Sequence, residues 1–378
     1  MNLLRFARLA ALAPAFVASA ALAQFAPPSP DQKDLPVDAP TRAAVVDSLV
    51  RALHERYVFP EVAKTLEREF RALQKRRAFD GLSSSEAFAD SLTSVLRAVG
   101  KDRHFRVAYR ERPLPVQGDG PPPAAELDRV RDLARRTNYG FERVARLPGN
   151  VGYLDVRSFQ FAAPQAGEAI EAAMRFLANC DALIVDVRRN GGGEPSVVQL
   201  LCSYLFPEGE RVHLNDLVIR DGGAEYVESY HTLPVVPGPR FGERDVYVLT
   251  SGLTASAAEE FAYNLQNRAR ATIVGDTTAG GANPGGFVRL SEHFAAFVSN
   301  GRARNPVSKT NWEGTGVRPD VATEAAAALT TAHVLAIEKL LERASDDERR
   351  GALRRALDAA RATPPEPWEA SRSKRVIP

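Results

Sequence analysis

Ser256 is the residue whose position most suggests chemistry. A predicted buried strand at 246–249 gives way through a short polar turn to a predicted helix at 255–268, and Ser256 stands near the start of that helix. The N–H groups of a first helical turn are unpaired, and the helix dipole favours negative charge there. A nucleophilic serine could use this field to stabilise an oxyanion. The sequence Ser256-Ala-Ala-Glu259 also fits a capping box, a purely structural role, and Ser251 at the strand end is a second candidate nucleophile.

Three glycines at 191–193 form the second candidate element. They follow a predicted buried strand at 182–187 and precede a predicted helix at 195–205. Glycine permits positive φ and close backbone approach, so the N–H groups can line an anion site, either an oxyanion hole or a phosphate cradle. The segment lacks the Lys-Ser/Thr pair of a P-loop and the spacing of a dinucleotide-binding loop. A tight strand-to-helix turn accounts for the glycines equally well.

His104 and Glu313 are candidate acid–base groups. His104, in Asp102-Arg-His104, follows a predicted helix and opens a short predicted strand. A single loop histidine is also compatible with a structural role. Glu313 adjoins Trp312 in a turn-rich segment, which indicates a partly buried carboxylate, although a solvent-facing turn is the alternative. Burial without a partner would raise the pKa of Glu313, whereas a hydrogen-bonded histidine would keep it charged.

The elements that must position these residues alternate between strand and helix from about residue 146. Such alternation predicts an α/β core with a largely parallel sheet covered on both faces. The earlier part of the chain has apolar residues at helical spacing and predicts a helical bundle. The predicted organisation is a signal peptide at 1–23, an exposed leader at 24–40, an N-terminal helical domain at 41–112, a proline-rich linker and connecting segment at 113–145, the α/β core at 146–340, and a C-terminal helix and tail at 341–378.

The N-terminus and the charge balance restrict the location and the partners. Arg5 and Arg8, an apolar stretch at 9–22 and small residues up to Ala23 predict a secretory signal cleaved after Ala23, hence a secreted or periplasmic protein. The apolar stretch is too short to span a bilayer comfortably, and no later segment predicts a membrane span. With 49 basic and 47 acidic residues, the chain offers no basis for binding nucleic acid.

The two cysteines, Cys180 and Cys202, leave two alternatives open. An oxidising compartment permits a disulfide between them, but two buried free thiols are the favoured interpretation. No cysteine or histidine spacing typical of a metal site is present, so neither a metal nor a cofactor is expected.

Four segments in fixed order carry a resemblance to a known family. They resemble the tail-specific (C-terminal-processing) serine peptidase family, and more closely its branch with the tricorn core and the interphotoreceptor retinoid-binding protein modules. The resemblance covers about residues 42–340 and implies a ClpP/crotonase-like fold with an N-terminal helical bundle. It implies no PDZ domain, because the 41 residues between Val107 and Gly149 are too few for one. The segments are 186–193, 251–263, 273–282 and 311–320.

The resemblance also implies roles for individual residues. The family nucleophile falls on Ser256. The processing peptidases use a lysine base where this chain has Gly281, so a Ser–Lys dyad is excluded. The tricorn-like branch uses an early histidine and a late glutamate, which His104 and Glu313 match; Arg103 stands where the tricorn core has a second serine.

The implied activity is hydrolysis of peptide bonds through an acyl-enzyme. Ala257, together with Gly192 or Gly193, would supply the oxyanion hole. The expected partners are peptide or protein substrates, and the oligomeric state is not predicted. Two other functions remain open: an inactive peptidase-fold module that binds an apolar ligand or peptide, and a hydrolase or acyl-transfer enzyme with another substrate.

Overall fold

A computed structural model describes residues 31–116 and 124–364. The predicted signal peptide at 1–23, the leader residues 24–30, the linker residues 117–123 and the tail from 365 lie outside the described residues.

The N-terminal region is built on three helices, α1 (Ala39–Arg56), α2 (Pro60–Lys75) and α3 (Ser85–Gly100). Pro60 opens α2, where a missing N–H is harmless, and the Ser84 side chain accepts a hydrogen bond from Ala87 N, which caps α3. The helical spacing in the sequence marks the faces that pack together. The residues Leu49, Leu53, Leu66, Phe70, Phe88 and Leu92 are fully buried in this cluster.

A small antiparallel sheet completes the N-terminal core. Its strands are β1 (Arg106–Tyr109), β9 (Gly285–Arg289) and β10 (Phe294–Ser299), in the order β1-β10-β9. Two of the three strands therefore come from far along the chain, which local sequence patterns did not indicate. The pairing of Arg106 with Phe297 holds the segment before β1, and His104 with it, against the later half of the chain.

The main sheet has six strands in the order β12-β8-β7-β4-β3-β2. Every neighbouring pair is parallel except β2 with β3, and this confirms the predicted α/β class with a largely parallel sheet. The parallel strands all end at one edge, where the loops that carry the candidate residues lie. The strands are β2 (Phe141–Leu147), β3 (Val151–Val156), β4 (Ala182–Asp186), β7 (Asp245–Thr250), β8 (Thr272–Gly275) and β12 (Val321–Ala322).

Helices cover both faces of this sheet. Leu183 and Val185 of β4 pack in one apolar cluster with α5 (Ala163–Leu177), α6 (Pro195–Leu205) and α7 (Ala257–Asn267). The alternate residue Ile184 packs on the opposite face, in a cluster with α8 (Ala328–Arg343) and α9 (Asp347–Ala362). Successive side chains of a strand point to opposite faces, so a sheet buried on both sides needs the continuous apolar run seen here.

Two further parts of the architecture had no counterpart in the sequence patterns. A third sheet, in the order β11-β5-β6, is formed by β5 (His213–Asp221), β6 (Ala224–His231) and β11 (Gly301–Arg304). The segment interpreted as a linker and connection also contains α4 (Ala124–Arg136) and most of the edge strand β2. None of the helices in the described residues is long and apolar enough to cross a membrane. Cys180 and Cys202 are both buried free thiols.

Candidate active site

Ser256 adopts a strained backbone conformation at the start of α7. Its φ is 53° and its ψ is −123°, whereas a usual N-cap residue is extended. A non-glycine residue with positive φ is uncommon, and such strain is concentrated at functional sites. Gly192 makes the turn possible, because a Cβ at that position would lie 2.7 Å from Ser256 Cβ and 2.9 Å from Ala257 N. The strand-to-helix turn thus presents the serine against the glycine loop.

The Glu259 carboxylate links the start of α7 to the loop after β8 through hydrogen bonds. Its Oε2 accepts hydrogen bonds from Ser256 N at 2.8 Å and from Gly281 N at 2.9 Å. Its Oε1 accepts from Gly280 N at 2.6 Å and from the Thr278 hydroxyl at 2.5 Å. Burial raises the pKa of Glu259, and these donors act in the opposite direction. The glutamate bond of the predicted capping box is therefore present, but most of the carboxylate's partners lie outside α7.

Two backbone N–H groups beside Ser256 have no acceptor among the described residues. Gly192 N donates to Asn190 Oδ1 at 2.9 Å, so its N–H is already engaged. Within residues 31–116 and 124–364, neither Gly193 N nor Ala257 N donates a hydrogen bond. Gly193, Ala257 and Ser256 line one cavity. An anion at the mouth of this cavity would find two free donors and the N-terminus of a helix.

Ser251, the other candidate nucleophile, is engaged in structural hydrogen bonds. It is only 2% exposed. Its hydroxyl donates to the Arg188 carbonyl oxygen at 2.5 Å and accepts from Leu253 N at 3.0 Å. Nearby, Asp186 pairs with the buried Arg188 guanidinium at 2.6 Å. These polar groups hold the strand ends and the turn together.

His104 reaches the same place from the N-terminal region. The imidazole stacks on Phe297 of β10, with ring centroids 5.4 Å apart. A Cβ at Gly281 would lie 2.7 Å from His104 Cε1, so the ring fills the space where any side chain at position 281 would begin. Gly281 also lines the cavity of Ser256 and shares the Glu259 oxygen with it. The fold therefore packs His104 against Gly281, which shares a cavity and a carboxylate oxygen with Ser256, 152 residues after the histidine.

The electrostatic surroundings of His104 favour a neutral ring. Burial lowers the pKa of His104 and Arg97 acts in the same direction, while Asp102 opposes them. Among the described residues, the buried Nδ1 atom has no hydrogen-bond partner. A neutral imidazole is the form that can accept a proton.

Glu313 is anchored through two backbone N–H groups. It accepts hydrogen bonds from Arg103 N at 2.8 Å and from Ala282 N at 2.6 Å. The side chain of Arg103 itself is exposed, so only its backbone contributes here. Burial, followed by the neighbouring Asp102, raises the pKa of Glu313 to about 7. The partly buried carboxylate expected from the Trp312-Glu313 pair is therefore present.

Asp102 is the neighbour of His104 that the sequence interpretation did not select. It is 1% exposed, and it accepts hydrogen bonds from His104 N at 2.9 Å and from Asn283 Nδ2 at 3.2 Å. Burial, with the charges of Asp102 and Glu313, raises the pKa of the Tyr57 phenol above its usual range. The sequence signal that could have identified Asp102 is its position two residues before His104. Side-chain ligand atoms of Asp102, His104 and Glu313 lie within 4.8 Å of one another, a set that suits proton transfer and is also of the kind that binds Zn²⁺.

Two family profiles match the chain. The profile of peptidase family S41 matches residues 150–323. The profile described as the N-terminal domain of peptidase S41 in eukaryotic IRBP matches residues 40–138. Together they span both the α/β core and the helical region.

Solved structures share the fold at low sequence identity. A putative peptidase from Parabacteroides merdae has a TM-score of 0.51 at 19% identity, covering 81% of this chain and 98% of its own. A lipoprotein from Streptococcus agalactiae has a TM-score of 0.51 at 13% identity, covering 80% of this chain and 98% of its own. Mature CPAF has a TM-score of 0.51 at 12% identity, covering 83% of this chain and 95% of its own.

Proposed function

Because the chain belongs to peptidase family S41 and is a serine-type peptidase, we propose that it is an exported endopeptidase that hydrolyses peptides or unfolded proteins through Ser256, His104 and Glu313. One observation carries the proposal. Ser256 stands in a strained turn at a helix N-terminus, in a cavity with two unused N–H donors. A serine that served only as a cap would need neither the positive φ nor the donors.

In the first half of the reaction, Ser256 attacks the substrate carbonyl. The neutral imidazole of His104 takes the proton from Ser256 Oγ as Oγ bonds to the carbonyl carbon. The negative charge that develops on the carbonyl oxygen is held by the N–H groups of Gly193 and Ala257. Gly193 is preferred over Gly192 because the Gly192 N–H already binds Asn190. Protonated His104 then gives its proton to the leaving amine, and the peptide bond breaks.

In the second half, water repeats the sequence on the acyl-enzyme. His104 takes a proton from water, the resulting tetrahedral intermediate collapses, and Ser256 recovers its proton as the carboxylic acid product leaves. Glu313, when ionised, stabilises the imidazolium that exists in both halves. Its backbone anchors at Arg103 and Ala282 link the histidine segment to the loop beside the nucleophile.

A covalent probe tests the assignment of the nucleophile. A fluorophosphonate should label the wild-type protein once, on Ser256, and Ser256→Ala and His104→Ala should abolish labelling. Ser251→Ala is the matched control, because Ser251 is buried behind the turn and should not be needed for labelling. Labelling of folded Ser256→Ala would refute the assignment. A wild-type protein that resists the probe but binds an apolar ligand or a peptide saturably would favour an inactive binding module instead.

A further inference from the structure

A cavity of about 200 Å³ lies directly beside Ser256. At roughly 30 Å³ per water molecule, that volume corresponds to about six or seven waters, which suits one amino-acid side chain rather than a larger ligand. The cavity opens beside the unused N–H groups of Gly193 and Ala257. When the substrate carbonyl oxygen is held there, the Cα of the same substrate residue is one bond from the carbonyl carbon that Ser256 attacks. The side chain on that Cα is therefore the one best placed to enter. The walls combine polar and apolar surface, and the apolar part includes Leu217, Pro284, Ala303 and Trp312.

Two glutamates line this cavity. Glu260 lies four residues after Ser256, one turn further along the same face of α7, and is only 5% exposed. Glu194 immediately follows the oxyanion-hole candidate Gly193 and is half-buried. One carboxyl group thus comes from each of the two loops that form the attack site.

Neither carboxyl group has a cationic partner among the described residues. Burial raises the pKa of Glu194, and burial raises the pKa of Glu260 to about 7, opposed only by the neighbouring amides of Asn215 and Asn264. No lysine or arginine of the described residues contributes to either pKa. The Tyr230 phenol is close enough to these carboxyl groups to be affected by them: burial, Glu228, Glu260 and Glu194 all raise its pKa above the usual range. When these two carboxyl groups ionise, no cation of the described residues balances their charge.

We propose that this cavity selects a cationic side chain, that of arginine or lysine, on the residue whose carbonyl Ser256 attacks. This inference rests on the proposed peptidase function and specifies its substrate class. The long methylene stem of such a side chain suits the walls formed by Leu217, Ala303 and Trp312, while its charged end reaches Glu260 and Glu194. A buried carboxylate without a partner is unfavourable, so the substrate supplies the missing counter-charge.

Fluorogenic peptide amides that differ only at the residue before the scissile bond test the proposal. Citrulline is the neutral, nearly isosteric counterpart of arginine, so the ratio of kcat/KM for arginine to that for citrulline isolates the charge. The wild-type ratio should be about 10- to 100-fold, the range expected for a charge-assisted hydrogen bond. Glu260→Gln should bring this ratio close to one, and Glu194→Gln should lower it by a smaller factor. Glu225→Gln, which alters an exposed ion pair with Arg302, should leave it unchanged.

The outcomes separate this inference from the function on which it rests. A wild-type enzyme that is labelled on Ser256 yet cleaves citrulline or leucine substrates as well as arginine substrates overturns the specificity and leaves the peptidase assignment intact. A protein that neither reacts with the probe nor cleaves any amide overturns both. If Glu260→Gln does not fold, the proposal is still tested by the ratio of kcat/KM for arginine to that for citrulline in the wild type and in Glu194→Gln. Calorimetric binding of arginine and citrulline peptides to Ser256→Ala should show the same preference without turnover.

Discussion

The Nδ1 atom of His104 lies 3.9 Å from Oδ1 of Asp102, which is too far for a hydrogen bond. Glu313 is the second carboxylate in reach, and its two oxygens are held by backbone N–H groups. The imidazole thus has two acidic neighbours and is hydrogen-bonded to neither through Nδ1 in the described residues. Catalytic hydrogen bonds are often long in structures without substrate and shorten when it binds, so either carboxylate is close enough to act.

Substitutions of the two carboxylates should have unequal effects. Glu313→Gln removes the charge that stabilises the imidazolium, and we expect kcat/KM to fall about 10²- to 10⁴-fold. Asp102→Asn keeps an Oδ1 that can accept from His104 N, so we expect a fall of less than about 10-fold. Steady-state kinetics on folded variants measures both. A larger loss in Asp102→Asn than in Glu313→Gln would assign the role of third residue to Asp102.

The pH profile should report the ionisation of Glu313. Its pKa is raised to about 7, so Glu313 is neutral below this pH and charged above it. The pKa of His104 is lowered, so the base is already neutral in the same range. With a citrulline substrate, whose turnover should not depend on the charge of Glu260, we therefore expect kcat/KM to rise with pH through about 7 in the wild type. In Glu313→Gln the plateau should be lower and this rise should be absent. Persistence of the rise in that variant would assign it to another group.

Gly281→Ala should inactivate the enzyme through His104. The added Cβ would stand 2.7 Å from His104 Cε1, so the ring must move away from the site. A displacement of about 1 Å in a catalytic group can cost about 100-fold in rate, and we expect at least that loss in kcat. Gly286→Ala is the matched control, because nothing lies within 4 Å of a Cβ there. Kinetics should show a loss of activity in Gly281→Ala and none in Gly286→Ala. Thermal melting should show that both variants keep nearly the stability of the wild type.

The buried carboxyl of Glu260 should make stability depend on pH. Its pKa is about 7 in the folded state against 4.5 for the ordinary group. A raised acid pKa means that the stabilising contribution is complete below about pH 4.5 and is lost as pH rises towards 7. The difference corresponds to about 3 kcal/mol. Glu260→Gln should thus be more stable than the wild type at pH 8 and similar to it at pH 4.5. Urea unfolding at both pH values measures this, and equal pH dependence in both proteins would contradict it.

The proposed export predicts a defined mature N-terminus. Expressed with its full sequence in a bacterium, the protein should be recovered from the secreted or periplasmic fraction beginning at Gln24, as read by mass spectrometry. Replacing the small residue at the cleavage site, Ala23→Arg, should block processing and leave the longer form in the membrane fraction. Recovery of an unprocessed wild-type protein in the cytoplasm would contradict export.

Local sequence patterns were sufficient for the central parallel strands β4 and β7 and for the turn that holds Ser256. Apolar runs followed by glycine or serine turns identify β4 and β7, and the parallel arrangement then requires their carboxyl ends to meet at one edge. The choice between Gly192 and Gly193 could not be made in this way, because it depends on the side chain of Asn190. The hydrogen bonds from Gly280 N and Gly281 N to Glu259 could not be predicted either, because they depend on where the side chain of Glu259 points in the folded protein.

Long-range pairing accounts for the rest of what the sequence did not reveal. Strands β5 and β11 place Leu217 and Ala303 opposite each other, and both then line the cavity beside Ser256. Their sequences lie more than 80 residues apart and carry no motif. Asp102 likewise becomes notable only when β1 pairs with β10 and brings its loop to Glu313. These contacts arise from the assembled fold rather than from local periodicity.

On the proposed mechanism, the pairing of β1 with β10 also determines when activity can begin. His104 is synthesised early and Glu313 more than 200 residues later, and the two meet only after a strand from each half has joined one sheet. A nascent or translocating chain therefore has Ser256 without the proposed base, His104, in place. On our proposal, the protein is inactive while it is synthesised and exported, and it becomes an active peptidase only after export, once folding is complete.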